Sequence, residues 1–210
     1  MEAARTSGRT RNSLCWAVAI PGAATAGGFL AQYPYGMVFV GVLLVLAAAG
    51  IGAAVAGTFW NRAGAATVIG FGTLALSLFA GPQLYETYTK LLGEQVPAVV
   101  VEVGEHKESD GDTRSYCVVS DPSGQVRELG QQQNCFGDFT EGQQVVLFED
   151  PVGILDPRIE ATGARTVDAL GSGITGGLLV LIGGTMFAAG ERRRTDAEVG
   201  AKRARKYARR

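Results

Sequence analysis

One polar, acidic stretch between apolar runs decides the fold: residues 85–165, YETYTKLLGEQVPAVVVEVGEHKESDGDTRSYCVVSDPSGQVRELGQQQNCFGDFTEGQQVVLFEDPVGILDPRIEATGAR. Residues 85–168 contain 16 Asp/Glu and 6 Lys/Arg, a formal charge of −10. The rest of the chain contains 13 Lys/Arg and 4 Asp/Glu, a formal charge of +9. Such segregation of charge is typical of a membrane-spanning chain whose basic segments stay in the cytoplasm.

Period-two alternation and turn residues predict short strands within this stretch. Valines at 99, 101 and 103 alternate along a first strand. Residues 114–129 have the pattern of a hairpin, because Asp121-Pro122-Ser123-Gly124 places proline in the second position of a four-residue turn. Residues 143–149 form a further strand. Four or five strands of this kind predict a small antiparallel barrel or sandwich over residues 85–166.

Four apolar runs are long enough to cross a bilayer core of about 30 Å. They cover about 14–31, 37–59, 64–84 and 167–190, and charged residues are absent from 14–61 and from 64–83. A cytoplasmic tail, residues 1–13, precedes them, and a basic cytoplasmic tail, residues 191–210, follows them. The predicted fold is therefore a membrane α+β protein with four transmembrane helices and a β-domain inserted between the third and the fourth.

The first apolar run has two interpretations. As a transmembrane helix it would be kinked near Pro21. As a signal peptide, residues 1–26 have a basic start, a short apolar region and Ala24-Thr25-Ala26 as a cleavage site. The helix is favoured, because the run has many small residues and few leucines. Both interpretations place the following residues outside.

Arginines fix the expected orientation. They occur in the N-terminal tail, at Arg62 between the second and third spans, and after the last span, so that all lie on one side of four crossings. We therefore expect a multi-pass plasma-membrane protein with both termini in the cytoplasm and the acidic β-domain outside.

Cys117 and Cys135 lie in the predicted outer domain, where an oxidising compartment favours a disulfide. A bridge that closes a loop of this size would stabilise the domain by about 3 kcal/mol. The alternative is a pair of buried thiols in a reduced domain. Cys15 lies at the cytoplasmic edge of the first span, and Asn12-Ser13-Leu14 before it does not resemble a lipoprotein cleavage box.

The sequence has no familiar catalytic or metal-binding pattern. Glu108, Asp110 and Asp112 lack the later bidentate glutamate that a calcium loop needs, so a solvated turn is favoured. His106 is the only histidine, and a lone strand-end histidine is more often a surface residue than a base. We expect no enzyme activity, no metal and no cofactor. The spans lack charged residues in their interiors, which disfavours ion-coupled transport.

Small and basic residues suggest contacts in and beside the membrane. Gly173 and Gly177 have GxxxG spacing, which allows close helix packing, with packing inside the chain favoured over a homodimer seam. The basic residues after the last span predict contact with anionic lipid headgroups. They are Arg192, Arg193, Arg194, Lys202, Arg203, Arg205, Lys206, Arg209 and Arg210. Nucleic-acid binding is not expected, since one aromatic residue and no known fold accompany this charge.

The last predicted strand carries a family resemblance. Residues 141–151, EGQQVVLFEDP, resemble the Gly-Asp/Glu-x-Val-x-Val-x-Tyr-Asp-Pro pattern of bacterial membrane proteins grouped as a domain of unknown function. The first strand of that family is similar to residues 97–103, PAVVVEV. This chain departs from the pattern by Phe148, Glu149, the cysteine pair and two additional spans. The resemblance implies a short β-domain framed by transmembrane helices, and it assigns no catalytic residue.

These observations together predict a non-enzymatic protein that presents its β-domain for interaction. It would be an accessory, scaffold or sensor subunit of a cell-envelope complex, with a membrane-protein partner or further copies of itself. The alternative is an oligomeric transport or channel component.

Overall fold

The computed structural model describes residues 2–33, 36–107, 113–164, 166–194, 197–198 and 200–201. The elements, in chain order, are α1 (Glu2–Leu30), α2 (Met37–Ala54), α3 (Ala63–Leu92), β1 (Glu94–Lys107), β2 (Thr113–Ser120), β3 (Val126–Gly130), β4 (Gln144–Glu149), β5 (Arg158–Ala161) and α4 (Ala169–Glu191). A π-helical turn, Val55–Phe59, extends α2. The chain divides into a helix unit, built from described residues of Met1–Ala31, Met37–Gly81 and Leu170–Arg210, and a sheet unit, Gln32–Gly36 and Pro82–Ala169.

The helix unit contains four helices that are long and apolar enough to cross a membrane, as the sequence predicts. Large apolar side chains such as Phe39, Phe71 and Leu78 are 72–74% exposed on its surface. Its core instead holds a mixture of small and branched residues, among them Ala24, Ala56, Ile69, Leu76 and Ile182. Exposed apolar surface of this extent is typical of helices that face lipid.

The N-terminal segment is helical, because residues 2–13 form the first turns of α1. A contact with α4 favours this helical extension: Ser13 is fully buried, and a β-carbon placed on Gly190 would lie 2.8 Å from its Cβ. The helix also continues through Pro21 to Leu30. Ala24, in the candidate cleavage site, is fully buried in the helix unit.

Glycines bring the helices of this unit close together, but not those that the sequence singled out. A β-carbon on Gly41 of α2 would lie 2.5 Å from the carbonyl oxygen of Gly27 of α1, and one on Gly28 would lie 2.5 Å from that of Ser77 of α3. Such distances require glycine. By contrast, a β-carbon on Gly173 or Gly177 would meet no atom within 4 Å. Within the described residues, these two glycines make no close helix contact.

The sheet unit contains a five-stranded antiparallel sheet with the order β3-β2-β1-β4-β5. The sheet is not closed, so the expectation of a barrel or sandwich needs correction. The long strand β1 pairs with β4 over its first half and with β2 over its second half, with an irregularity between Val100 and Glu102. Because β3 and β5 are at opposite edges and no pairing joins them in the described residues, one open sheet results.

The core of the sheet unit lies on one face of this sheet. It includes Val100, Val119, Val145, Leu147 and Ile159, each at most 1% exposed. Cys117 of β2 and Cys135 form the predicted disulfide within this core, with their Cα atoms 5.9 Å apart. The disulfide ties the segment after β3 to the middle of β2.

The third helix is longer than predicted: it does not end at Leu84 but continues to Leu92. Residues 82–92 therefore belong to the sheet unit. This segment contains Glu86 and Lys90, two charged residues that by themselves would also suit a solvent-exposed strand or turn, so the sequence alone did not indicate a helix here. Both side chains are nevertheless buried against charged residues of β5, so the additional helical turns lie against the sheet.

Candidate functional site

The face of the sheet opposite the apolar core is its second face. Against one half of this face, two charged residues of α3 and two of β5 form a ring of four buried charges. Lys90 Nζ lies 2.8 Å from Glu86 Oε1 and 3.1 Å from Glu160 Oε1. Arg158 Nε lies 2.9 Å from Glu160, and its terminal nitrogen lies 4.0 Å from Glu86. The side chains are between 5% and 13% exposed. Opposite charges alternate around the ring, so each buried ion has two oppositely charged neighbours.

Backbone groups complete the hydrogen bonding of this ring. Lys90 donates to the carbonyl oxygen of Thr166 at 2.9 Å, and the amide of Asp168 donates to Glu86 at 3.1 Å. The segment that leads into α4 is thus attached to the end of α3 and to β5. Both carboxylates of the ring are engaged in ion pairs, which favours a structural role.

Asp150 organises the turn that follows β4. Its carboxylate accepts a hydrogen bond from the Tyr88 hydroxyl at 2.7 Å and bonds of 3.0–3.1 Å from the amides of Val152, Ile154 and Leu155. Burial raises the pKa of this carboxyl, but the four hydrogen bonds outweigh it and the pKa lies below the usual value. The Asp-Pro of the family-like pattern is therefore a turn cap that also contacts α3.

The other half of the second face is open and carries an aromatic stack. The rings of His106 and Tyr116 lie 4.2 Å apart with an interplanar angle of 15°. Tyr116 donates to Glu102 at 2.8 Å, and this hydrogen bond raises the pKa of the phenol. A β-carbon on Gly104 would lie 2.5 Å from Cζ of Tyr116, so the glycine allows the ring to lie flat across β1.

A shallow groove of about 370 Å³ crosses the second face of the sheet. Val99 of β1 pairs with Ser120 of β2 and with Gln144 of β4, and Ser120 pairs with Val126 of the edge strand β3. This row places side chains of four strands on one face. The open-face groove is lined on this face by Pro97, Val99, Ser120, Asp121, Pro122, Gln144, Val146 and Thr162. The lining thus combines apolar and polar side chains.

In the helix unit, three of the predicted lipid-contact residues line a pocket that other arginines also line. Arg192, Arg193 and Arg194 line a pocket together with Arg9 and Arg62. The first turns of α1, the turn between α2 and α3, and the end of α4 therefore converge at one end of the bundle. The remaining predicted lipid-contact residues, Lys202, Arg203, Arg205, Lys206, Arg209 and Arg210, lie outside the described residues.

The described residues include no group of three His, Cys, Asp or Glu side chains arranged to hold a metal ion. The acidic turn at Glu108, Asp110 and Asp112 lies outside them. Sequence reasoning missed the ionic ring, the open-face groove and the meeting of Arg9 with the arginines after α4. The spacing of Glu86 and Lys90, four residues apart, was the one local signal for the ring.

Comparison with protein families, with curated proteins and with solved structures found no match to this chain. The resemblance of residues 141–151 to a family pattern consequently stays a prediction, and function has to be argued from the geometry.

Proposed function

We propose that this chain is a non-enzymatic multi-pass membrane protein of the plasma membrane that presents its sheet unit outside the cell for binding a protein partner. In this role it would be an accessory, scaffold or sensor subunit of a cell-envelope complex. The open-face groove carries the proposal, because it offers apolar and polar side chains together on the second face of the sheet.

Exposure along the groove supports a binding role. Val99 in the groove is 41% exposed and Val126 on the adjoining strand β3 is 60% exposed, while Val100, Val119 and Val145 on the opposite face are buried. Val126 lies on the edge strand β3, whose free backbone groups can pair with an added strand. An apolar face next to an aromatic stack and an unpaired edge is typical of surfaces that bind an extended segment of another protein.

Charge supports the proposed orientation. Five arginines of the helix unit line one pocket, at the end of the bundle where α4 finishes. The positive-inside rule places this end in the cytoplasm. The acidic sheet unit, which follows an odd number of crossings, would then be outside, where its disulfide is stable.

Orientation is tested by inserting a reporter after Gly124, which has a φ of +82° in the exposed turn between β2 and β3. A reporter that is active only outside the cytoplasm should work at this position, and one that folds only in the cytoplasm should not. The opposite result would contradict the proposed topology.

Binding is tested by placing a photo-crosslinking amino acid at Val126 or at Gln144 in native membranes, with the exposed Gln132 as a matched control. We expect Gln144 in the groove and Val126 on the adjoining edge strand to crosslink the same membrane or envelope protein, and Gln132 not to do so. Equal crosslinking from all three positions, or none from the groove, would argue against the proposal. Crosslinks to further copies of this chain would instead favour the oligomeric transport or channel alternative.

A further inference from the structure

The arginine pocket of the helix unit has an unusual charge. It encloses about 760 Å³ and is lined by Arg9, Arg62, Arg192, Arg193 and Arg194. Two acidic residues, Glu191 and Glu198, also line it, so that the formal charge of the lining is +3. Guanidinium groups repel one another when they converge, and a bound anion offsets that repulsion.

Two of the five arginines have a structural task. Arg9 Nε donates to the carbonyl oxygen of Gly190 at 3.2 Å, and Arg62 Nε donates to that of Arg192 at 2.7 Å. Both side chains thus satisfy carbonyl groups at the C-terminal end of α4, where a positive charge also interacts favourably with the helix dipole. These contacts fix the walls of the pocket.

The other three arginines lie just beyond the end of α4 and contact those walls through their backbones. The Arg194 amide donates to the carbonyl oxygen of Trp60 at 3.1 Å, and the Arg192 carbonyl accepts from Arg62. Across the described part of the chain, their guanidinium groups have no hydrogen bond or ion pair with a carboxylate. Planar guanidinium groups match the geometry of a phosphate group.

An apolar groove begins one helical turn away from the pocket. Gly57 and Ala63 line the pocket, while Ala53 and Ala66, on the same two helices, line a groove of about 420 Å³ between α2 and α3. Small residues leave this space open: a β-carbon on Gly50 would meet no atom within 4 Å. The exposed ring of Phe71 forms an apolar wall. A hydrocarbon chain is the ligand that fits such a surface.

We propose that the arginine pocket and the α2–α3 groove together bind one anionic phospholipid. Its phosphate would contact the guanidinium groups of Arg192–Arg194, and one acyl chain would lie along the groove past Gly50. This inference rests on the membrane embedding proposed above, but it is independent of the orientation and of the partner of the sheet unit. Free phosphate shares the headgroup chemistry, whereas only a lipid uses the groove as well.

The experiment uses the full chain purified in a neutral detergent, with lipid binding followed by native mass spectrometry. Dioleoylphosphatidylglycerol should bind at least about 10-fold more tightly than dioleoylphosphatidylcholine. The double variant Arg192→Gln/Arg194→Gln should weaken binding of the anionic lipid roughly 25-fold, from about 5-fold per arginine. Arg11→Gln is the matched control, because Arg11 is exposed on α1 and does not line the pocket; its binding should be unchanged.

A second variant separates lipid from free phosphate. Gly50→Leu fills the groove and should weaken binding of the diacyl lipid while leaving the weak binding of glycerol 3-phosphate unchanged. Gly184→Leu is its control, because Gly184 is exposed on α4 and also has open space around it. Equal binding of the two lipids would overturn the proposal. The proposal would also be overturned if glycerol 3-phosphate bound as tightly as the lipid and Gly50→Leu did not weaken binding of the lipid. If the crosslinks from Val126 and Gln144 of the sheet unit fail while these lipid results hold, only the proposed function is contradicted.

Discussion

Lys90 on α3 lies 3.1 Å from Glu160 on β5, and the two side chains are only 5% and 10% exposed. A buried ion pair of this kind contributes less to net stability than its distance suggests, because both charges lose their hydration. Removing one partner is nevertheless costly, since the other remains buried without compensation. This ring joins the end of α3, the edge of the sheet and the segment that leads into α4, so its loss should be felt across the sheet unit.

Replacing Lys90 by methionine should therefore destabilise the sheet unit strongly. The variant leaves Glu86 and Glu160 with Arg158 alone, and we expect a loss of about 3–5 kcal/mol. The measurement is thermal unfolding of the full chain in detergent, together with hydrogen exchange of the β5 amides, which should become faster. Lys107→Met is the matched control, because Lys107 is exposed at the end of β1. An equal effect of both variants would show that the ring has no special role.

The disulfide between Cys117 and Cys135 leaves Cys15, which is exposed, as the free cysteine. A maleimide should therefore modify one cysteine of the denatured chain without a reductant and all three after reduction, as counted by intact mass. Replacing both bridged cysteines by serine should lower stability by about 3 kcal/mol, whereas Cys15→Ser should have no such effect. Modification of three cysteines without a reductant would contradict the disulfide.

Gly41 should be far less tolerant of substitution than Gly173. Leucine at Gly41 would force α2 away from the backbone of α1 at Gly27, and overpacking of this severity typically costs about 1–3 kcal/mol or more. Leucine at Gly173 meets open space and should leave the unfolding midpoint of the chain unchanged. Thermal unfolding in detergent compares the two variants. A larger loss at Gly173 would mean that the GxxxG pattern, and not the Gly27–Gly41 contact, holds the helices together.

The helices were predictable because a bilayer imposes length and apolarity on every crossing, and both properties can be read locally. The hairpin formed by β2 and β3 was predictable for a similar reason, since its turn chemistry lies in four consecutive residues. The edge strand β5 was not, because Arg158–Ala161 is only four residues long and has no clear alternation. Sheet closure depends on which distant strands pair, which local patterns do not determine.

The candidate sites were harder to predict than the elements. Glu86 and Lys90 look like solvated residues in the sequence, and only the register of β5 brings Arg158 and Glu160 to them. The sequence indicated the same side of the membrane for Arg9 and Arg62. It did not indicate their common pocket, because that pocket requires three helix ends to converge. In both cases the missing information was long-range packing.

Acid should weaken the turn at Asp150. Because its pKa in the folded chain lies below the ordinary value of 3.8, the unfolded chain binds more protons over that range. The stabilisation from the ionised carboxylate is therefore complete above the unfolded-state pKa and is lost as the pH falls through the folded-state pKa. Thermal unfolding followed by circular dichroism from about pH 5 down to about pH 2 should show this loss.

Asp150→Asn separates this contribution from those of other carboxyl groups. The amide retains an acceptor oxygen but cannot ionise, so the variant should be less stable at neutral pH and should lose less stability in acid than the wild-type chain. Asp138→Asn is the matched control, because Asp138 is exposed. This control variant should keep the wild-type dependence of stability on pH. A wild-type profile for Asp150→Asn would show that the hydrogen bonds from Tyr88 and the three amides do not distinguish the ionised from the neutral group.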